Sequence, residues 1–428
     1  MMRRFSLRRR ALSFWGTAYF CGRKFVMSLQ ETPSGERIHI GFFGVRNAGK
    51  SSLVNAVTGQ DLSVVSDVRG TTTDPVRKAM ELLPLGPVVI VDTPGFDDEG
   101  ALGELRVKKT REILGSCDIA ILVADGTAGL RQEEETLLTL IRQRRIPYLI
   151  VWNKSDLPGT LPAPEGAIHV SCKTGEGVSA FKERLAALAP ADKEQAIASD
   201  LISPGDFCVL VCPIDESAPK GRLILPQQLT IRDLMDAGAI PVICRDTELA
   251  KVLSSLGQRP ALVITDSQAF RLVNDTVPEE IPLTSFSILM ARYKGFLETA
   301  VQGVRAALFL QDGDRVLLAE GCTHHRQCRD IGTVKIPAWL RKFTGKDVLI
   351  ETCSGRDFPE DLSPYHLVIH CGGCMLTEAM MESRRKQAAA QGVPFTNYGV
   401  LIAHITGALE RSLRLFPQLH AMIEKGEP

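Results

Sequence analysis

Short apolar runs alternate with amphipathic, helix-like stretches over most of this 428-residue chain. Between residues 37 and 189 the apolar runs are Ile38–Phe43, Val88–Val91, Ile119–Val123, Tyr148–Val151 and Ala167–Val170. Such an alternation is typical of a parallel β-sheet covered by helices. The pattern therefore predicts a first α/β domain at residues 37–189.

Two further α/β domains are predicted after the first. A polar, alanine-rich stretch, Pro190–Asp200, begins the second domain, which we place at 190–281. Its apolar runs are Phe207–Cys212, Ile240–Cys244 and Ala261–Thr265. The third domain, 282–428, has the runs Arg315–Leu318, Val348–Glu351 and Leu367–His370, and a helix-rich tail. The second domain shows no glycine-rich phosphate loop and no cluster of histidines or carboxylates, which favours a scaffold or dimerisation role.

The overall charge and the cysteine content restrict the function classes. The chain has 50 basic and 50 acidic residues, so no global positive field favours nonspecific binding to nucleic acid. No apolar run reaches the roughly 18 to 20 residues that cross a bilayer, so we expect no membrane partner. Eleven cysteines without a secretory context indicate a reducing compartment, where thiols stay free for metals. We therefore expect a cytoplasmic protein.

The N-terminal extension, residues 1–36, has a different composition. Five arginines within the first ten residues precede a short apolar stretch, Ala11–Cys21, as in a signal or transit peptide. No small-residue cleavage pattern follows, and Met27 opens a polar segment that leads into the first strand. We expect translation to begin at Met27, which would make residues 1–26 a start-site artefact; an organelle-targeting peptide is the alternative.

A phosphate-binding loop follows the first predicted strand. Residues 44–51 read GVRNAGKS and match G-x4-G-K-S in the strand-to-helix context that this motif requires. Backbone N–H groups in such a loop cradle phosphates, the lysine contacts the β- and γ-phosphates, and the serine binds Mg²⁺. The predicted phosphate-binding residues are Gly44, Asn47, Ala48, Gly49, Lys50, Ser51 and Ser52.

The other nucleotide-binding motifs occur in the expected order. Gly70-Thr-Thr-Thr-Asp74 lies where a switch threonine closes over Mg²⁺ and senses the γ-phosphate, and we favour Thr72 for that role. Asp92 and Gly95 of a D-T-P-G motif supply the carboxylate near Mg²⁺ and a γ-phosphate-sensing glycine. The guanine contacts are predicted at Asn153, Lys154, Asp156, Ser171, Cys172 and Lys173. A carboxylate after N-K-x can accept from N1 and N2 of guanine, so the nucleotide is predicted to be GTP.

Phe96 and Asn47 carry predictions about the rate of GTP hydrolysis. Phe96 stands where Ras-like proteins carry the glutamine that orients water, so intrinsic hydrolysis should be slow. Asn47 in the loop, together with Gly70-Thr-Thr, resembles the TrmE/Era class of GTPases. That resemblance implies that Asn47 helps to bind an activating K⁺ ion, and it makes Lys50, Thr72 and Asn47 the residues expected to act in hydrolysis.

Cysteines and histidines in the third domain have the pattern of a metal site. The chain carries Cys322-Thr-His324 and, further on, His370-Cys371-Gly-Gly-Cys374. Thiolate and imidazole are preferred ligands of zinc and of iron–sulfur clusters, and a C-x-x-C loop can place two sulfurs on one centre. The residues alone leave zinc and iron–sulfur open, and either histidine could be the fourth ligand.

The same loop joins a predicted strand to a predicted helix, Leu376–Ala390. At a helix N-terminus, the dipole and the free N–H groups favour thiolate, and the glycines allow the backbone to approach a metal. We therefore expect Cys371 and Cys374 to lie at a helix N-terminus, with Cys322 brought in from a distant loop.

From residue 27 to the C-terminus the chain resembles the HydF family, the GTPases that mature FeFe-hydrogenase. The resemblance rests on the TrmE/Era-like loop, the middle α/β domain and the C-x-H…H-C-x-x-C pattern. It implies a homodimer that holds a 4Fe–4S cluster on Cys322, Cys371 and Cys374, with an exchangeable fourth position. It further implies that a transient di-iron precursor comes from radical-SAM maturases and passes to apo FeFe-hydrogenase, and that GTP hydrolysis regulates partner exchange.

Two other function classes were weighed against this one. An RNA- or ribosome-associated Era-like GTPase with a structural zinc site is the main alternative, but the neutral charge and the absence of a recognisable RNA-binding module disfavour it. A tRNA-modification GTPase would have another domain order and no such cysteine cluster.

Overall fold

The computed structural model describes residues 32–59, 76–93, 110–189, 196–214, 223–321, 331–355 and 357–424. Three sheets account for its strands. The first sheet has six strands in the order β2-β3-β1-β4-β5-β6, and only β2 is antiparallel to its neighbour. The strands are β1 Ile38–Phe43, β2 Val76–Leu82, β3 Gly86–Asp92, β4 Ile119–Asp125, β5 Tyr148–Asn153 and β6 Ile168–His169.

Helices connect the strands of the first sheet. They are α1 Lys50–Thr58, α2 Gln132–Gln143 and α3 Val178–Ala187, with a further helical stretch at 110–114 and a 3₁₀ turn at Ser34–Glu36. Helix α1 begins after Gly49 and ends at Gly59, and both glycines have the left-handed backbone that L side chains rarely adopt. This places the start of α1 directly behind the loop that leaves β1.

The second sheet contains four parallel strands in the order β10-β9-β7-β8. Its strands are β7 Phe207–Val211, β8 Ile240–Cys244, β9 Leu262–Thr265 and β10 Leu283–Ser285. The helices of this region are α4 Leu225–Asp236, α5 Leu249–Ser255, α6 Phe270–Thr276 and α7 Phe286–Tyr293. Short 3₁₀ turns occur at Ser199–Leu201, Asp246–Glu248 and Ser267–Ala269.

The third sheet also contains four parallel strands, in the order β12-β11-β13-β14. Its strands are β11 Arg315–Glu320, β12 Leu349–Ser354, β13 Leu367–His370 and β14 Phe395–Asn397. The helices are α8 Leu297–Val304, α9 Ile336–Thr344, α10 Glu378–Ala390, α11 Tyr398–Ile405, α12 Leu409–Leu413 and α13 Pro417–Glu424. A 3₁₀ turn at Arg305–Phe309 and a π-helical turn at Ile331–Lys335 complete the region.

The buried apolar side chains form two cores. One core fills the first sheet and its helices. The other is continuous through the second and third sheets, from Ile197 to Phe416. The predicted fold class, a P-loop GTPase domain followed by further α/β domains, is confirmed. In the described part of the chain, no helix has both the length and the apolar character needed to cross a membrane.

The predicted domain boundaries can be compared with the ends of the sheets. The boundary at residue 282 lies immediately before β10, which pairs with β9 and completes the second sheet. The predicted start at Met27 and the arginine-rich stretch lie outside the described residues. The end of the predicted extension, residues 33–36, is described and contacts the third-sheet region, as shown below.

Candidate functional site

The phosphate-binding loop has the backbone that its sequence predicts. Gly44 and Gly49 have φ angles of +151° and +93°, and Asn47 has a φ of +61°. A Cβ on Gly44 would lie 2.2 Å from the Val123 carbonyl oxygen, so only glycine fits there. The loop is therefore held tightly against β4 and leads into α1.

Lys50 occupies the inside of this loop. Its side chain is buried, and Nζ donates to the carbonyl oxygens of Gly44 and Val45, both at 2.8 Å. The Asp92 and Glu134 carboxylates also interact electrostatically with Lys50, and phosphate oxygens would add negative charge directly at the ammonium. The lysine is thus placed to bind the phosphates of a nucleotide at the N-terminus of α1.

Ser51 and Asp92 form the predicted magnesium site. The Ser51 hydroxyl donates to Oδ2 of Asp92 at 3.0 Å. Among the residues that the structure describes, Oδ1 of Asp92 is buried and has no hydrogen-bond partner, and burial raises the pKa of this carboxyl. A buried carboxylate oxygen with an open acceptor position beside a hydroxyl fits the hard oxygen ligands of Mg²⁺. The predicted partners Thr72 and Gly95 lie outside the described residues, as does Phe96.

The predicted guanine-binding residues come together at the ends of β5 and β6. Asn153 is buried and its Nδ2 donates to the Ala48 carbonyl at 2.9 Å, which ties the base site to the phosphate loop. Its Oδ1 accepts from the Cys172 amide at 3.4 Å. The Asp156 carboxylate accepts from the Ser171 hydroxyl at 2.7 Å, which orients it for a base.

The remaining predicted residues surround the same site. Lys154 has a left-handed backbone, φ +64°, and its Nζ pairs with Oδ2 of Asp125 at 2.5 Å. Lys173 is exposed in the turn after β6, and Ser52 is exposed in the first turn of α1. The described residues therefore assemble a GTP- and Mg²⁺-binding site.

The sequence reasoning missed Glu134, a fully buried carboxylate on α2. Its Oε2 accepts from the Arg131 amide at 3.0 Å and its Oε1 from the Val45 amide of the phosphate loop at 3.5 Å. Burial raises the pKa of Glu134. Its position three residues after the helix cap is the one sequence signal that could have indicated a capping role.

The cysteine loop, residues 370–374, leaves the carboxyl end of β13. Strands β11 and β13 are parallel neighbours, with Ala319 opposite His370. Both chains therefore emerge at the same sheet edge. The Gly321 amide donates to Sγ of Cys371 at 3.0 Å, and the Gly373 amide reaches the same sulfur at 3.4 Å.

That contact bears on the predicted ligands Cys322 and His324. Both lie outside the described residues, but Cys322 directly follows Gly321, whose amide touches the Cys371 sulfur. Within the described ranges, no three His, Cys, Asp or Glu side chains gather as a metal site. The described members of the predicted donor set are His370, Cys371 and Cys374.

The two thiols of the cysteine loop are partly buried. Burial raises the pKa of Cys371, while the amides of Gly321 and Gly373 oppose that rise. Burial raises the pKa of Cys374 to about 12. Such thiols give up their protons when a cationic metal centre replaces them. Amide N–H groups directed at a thiolate suit an iron–sulfur centre, where hydrogen bonds to sulfur tune the potential, so the described donors fit a cluster.

The helix after the loop begins later than predicted. Helix α10 starts at Glu378, and its cap Thr377 accepts from the Met380 amide at 3.2 Å. Cys374 therefore precedes the helix cap by three residues. The N–H groups that reach Cys371 come from Gly321 and Gly373, and not from the helix N-terminus.

His370 is fully buried at the start of the cysteine loop. Its Nδ1 donates to the Cys371 carbonyl at 2.8 Å, and its Nε2 accepts from Nη1 of Arg384 at 2.7 Å. Its ring stacks on Phe395, with centroids 5.8 Å apart. Burial lowers the pKa of His370 to about 3, so the ring is neutral. Both ring nitrogens are engaged by protein groups in this arrangement, and its role as a metal ligand stays a prediction.

The junction segment, residues 33–37, lies between the cysteine loop and strand β1. A Cβ on Gly35 would lie 2.7 Å from the Cys374 carbonyl oxygen, so the segment packs directly on the cysteine loop. Oε1 of Glu36 pairs with the buried Nζ of Lys294 at 2.7 Å, and Oε2 accepts from the Tyr293 hydroxyl at 2.6 Å. Strand β1 follows at once and leads to the phosphate loop.

Comparison with protein families divides the chain into three matched parts. Residues 197–295 match the hydrogen maturase F dimerization domain, and residues 298–415 match the hydrogen maturase F tetramerization domain. Residues 39–154 match the 50S ribosome-binding GTPase family.

Curated relatives match about a third of this chain. The tRNA modification GTPase MnmE of Methylorubrum populi is 37% identical over 165 residues, which cover 37% of this chain and 34% of that protein. The same enzyme of Chromobacterium violaceum is 33% identical over 156 residues, covering 35% and 34%. The match thus spans about a third of the length of these relatives.

Two solved structures are similar in part. The G domain of the T. maritima FeoB iron transporter is 22% identical with a TM-score of 0.28, and the match covers 36% of this chain and 99% of that one. Era of Aquifex aeolicus bound to GDP·AlF4⁻ is 17% identical with a TM-score of 0.32, covering 56% and 97%. Likenesses this distant carry no argument about function.

Proposed function

This chain belongs to the hydrogen maturase F family, and on that premise we propose that it is a GTP-hydrolysing scaffold and carrier for an iron–sulfur cofactor. It would hold a 4Fe–4S cluster and deliver a di-iron subcluster to apo FeFe-hydrogenase. The observation that carries the proposal is the hydrogen bond from the Gly321 amide to the Cys371 sulfur, because it brings the chain before Cys322 to the cysteine loop.

Three cysteines would hold the cluster. They are Cys322, Cys371 and Cys374, with His324 or His370 as candidates for the fourth position. A cluster bound in this way supplies an iron with an exchangeable ligand, to which a di-iron cargo can attach. The protein's own part is to enclose the thiolates, direct amides at Cys371 and hold the loop between β13 and α10.

The nucleotide site would set the timing of exchange. Lys50 binds the phosphates, Ser51 and Asp92 hold Mg²⁺, and the junction segment connects β1 to the cysteine loop. Hydrolysis would regulate which partner is bound, a radical-SAM maturase that supplies the precursor or the apo-hydrogenase that receives it. A cytoplasmic location and the absence of a nucleic-acid partner stay predictions.

We place the homodimer contact in the second sheet. The match to a dimerization domain covers this region, and β8 forms one edge of its sheet. Ile240 and Ile243 on β8 are 43% and 47% exposed, and an unpaired edge strand with apolar side chains favours pairing with another chain.

Anaerobic reconstitution tests the scaffold proposal. The full chain should be brown, with about four irons and four sulfides per chain, whereas a colourless protein with one zinc would support the Era-like alternative instead.

Cys371→Ala should abolish cluster binding and leave GTP hydrolysis nearly unchanged. Cys208→Ala is the matched control, because Cys208 is a buried thiol on strand β7 of the second sheet and lies outside the motif. Joint loss of both activities in Cys371→Ala would contradict the modular assignment.

Asn47 should make hydrolysis depend on potassium. Its left-handed backbone at the tip of the phosphate loop exposes its side chain beside the nucleotide site. We expect GTP hydrolysis to be faster in K⁺ than in Na⁺ at equal ionic strength, and Asn47→Ala to remove the difference. Equal rates in the two salts for the unmodified chain would refute the role.

A further inference from the structure

Arg384 is a buried arginine next to the cysteine loop. It lies on α10 and is 6% exposed. Its Nη1 donates to Nε2 of His370 at 2.7 Å, its Nη2 donates to the Gly355 carbonyl, and its guanidinium lies 4.8 Å from the centre of the Phe358 ring. These contacts come from two separate segments, the start of the cysteine loop and the stretch after β12, and they fix the guanidinium in position.

The charge of Arg384 has no carboxylate partner within the described residues. Its polar contacts are a neutral imidazole and a carbonyl, and the groups that interact with it electrostatically are the thiols of Cys353 and Cys371. Arginine keeps its charge in proteins, and an enclosed cation without an anion is costly. An anion at the cysteine loop would compensate it.

The neighbouring residue Arg385 provides a contrast to Arg384. Arg385 forms an ion pair with Glu382 at 2.7 Å, one turn away on the same helix. Arg384 is only two residues from Glu382, a spacing at which helical side chains do not face each other. Arg384 instead lies on the buried side of the helix, where its contacts are those of the cysteine-loop region.

We propose that Arg384 is a positioning residue that balances the negative charge of a thiolate-bound cluster and so favours its reduced form. This inference rests on the proposed function, since it needs a cluster at Cys371 and Cys374. A cubane with thiolate ligands is anionic and becomes more so on reduction, so a fixed cation nearby stabilises the reduced form more strongly.

His370 takes a defined part in this arrangement. Because its Nε2 accepts from Arg384 and its Nδ1 donates to the Cys371 carbonyl, it links the guanidinium to the backbone of the cysteine ligand. While these bonds persist, neither nitrogen offers a lone pair to iron. In this arrangement His370 holds the cation in place, and it could take the fourth cluster position only if its bond from Arg384 were broken.

A redox titration of three variants tests the inference. The reconstituted full chain is titrated anaerobically and the reduced cluster is followed by EPR, with iron content measured in parallel. Arg384→Gln should disfavour the reduced cluster roughly tenfold, which for a one-electron couple is a shift of about 59 mV to more negative potential. Arg384→Lys keeps the charge and should restore most of the shift.

Arg411→Gln is the matched control. Arg411 is 5% exposed and binds backbone carbonyls, including those of Val277 and Ile281, away from the cysteines. Its loss should lower stability without moving the potential.

The outcomes separate this inference from the proposed function. If the unmodified chain binds no cluster, the proposed function fails. If it binds one and Arg384→Gln keeps the same potential, the inference alone is overturned. Loss of the cluster from both the Gln and the Lys variants would also overturn it, because retained charge should rescue binding.

Discussion

The phosphate loop and the cysteine loop each have a buried cation beside them, but the two cations come from different parts of the chain. Lys50 belongs to the phosphate-loop motif itself and donates to carbonyls of the same loop, Gly44 and Val45. Arg384 comes from the following helix and reaches the cysteine loop through His370. The cation of the phosphate loop is therefore encoded in the same short stretch as the loop itself. The cation of the cysteine loop is brought there by the tertiary fold.

The two regions also differ in their acidic groups. Asp92 and Glu134 bring carboxylates to the phosphate loop, and both interact electrostatically with Lys50. The cysteine loop instead has thiols and amides as its polar groups, with the junction carboxylate Glu36 already paired to Lys294. One region thus has the groups that suit a hard cation with an anionic nucleotide, and the other has donors that suit the proposed thiolate-bound centre.

The largest expected effect comes from removing the phosphate-loop cation. Lys50→Ala should slow GTP hydrolysis roughly 100- to 1,000-fold, because the charge that stabilises the transferred phosphoryl group is lost. Iron content after reconstitution should not change. Phosphate release at saturating GTP and iron analysis on the same preparation measure both properties.

Lys251→Ala provides the control for Lys50→Ala. Lys251 is exposed on α5 and distant in sequence from both motifs, so neither hydrolysis nor iron content should change. Loss of the cluster in Lys50→Ala would show that the phosphate loop supports the cysteine loop directly. It would contradict the view that the two sites act independently.

The same contrast explains what could be predicted from the sequence. The phosphate loop, Asn153 and Asp156 were found because their functions depend on local spacing after a strand. Strands β10 and β14 were missed because each has three residues, too few for a periodic pattern. Arg384 gave no signal, since an arginine beside Arg385 in a polar helix is usually solvated and only tertiary packing buries it.

The junction segment was missed for a related reason. Residues 33–36 read as the end of an extension because nothing in Pro-Ser-Gly-Glu indicates a partner. Their partners, Tyr293, Lys294 and Cys374, are far away along the chain. Contacts of this kind follow from how the sheets pack, and a single sequence does not show it.

Glu36→Gln should have the next largest effect, on stability. It leaves the Lys294 side chain, 4% exposed, without its anionic partner. Breaking one side of a buried pair costs about 3 kcal/mol of unfolding free energy. Urea denaturation followed by circular dichroism, with GTP affinity measured separately, checks this.

The control pair for Glu36→Gln is exposed. Glu248 pairs with Arg245 on the surface, so Glu248→Gln should leave the denaturation midpoint unchanged. Equal effects of the two substitutions would mean that the Glu36–Lys294 pair does not hold the junction segment in place.

Gly35→Ala should produce the smallest of these effects and test the junction most directly. The new methyl group would lie 2.7 Å from the Cys374 carbonyl oxygen and 2.9 Å from that of Leu376, so the cysteine loop must shift. We expect a loss of about 2 kcal/mol in unfolding free energy and lower iron retention, since overpacking a tight contact displaces its backbone.

Gly115→Ala is the control, because its nearest neighbour is the end of the exposed Arg144 side chain, which can move. Full iron retention and an unchanged midpoint in Gly35→Ala would show that the two regions fold without this contact, whereas iron loss with normal GTP affinity would identify the junction as support for the cysteine loop alone.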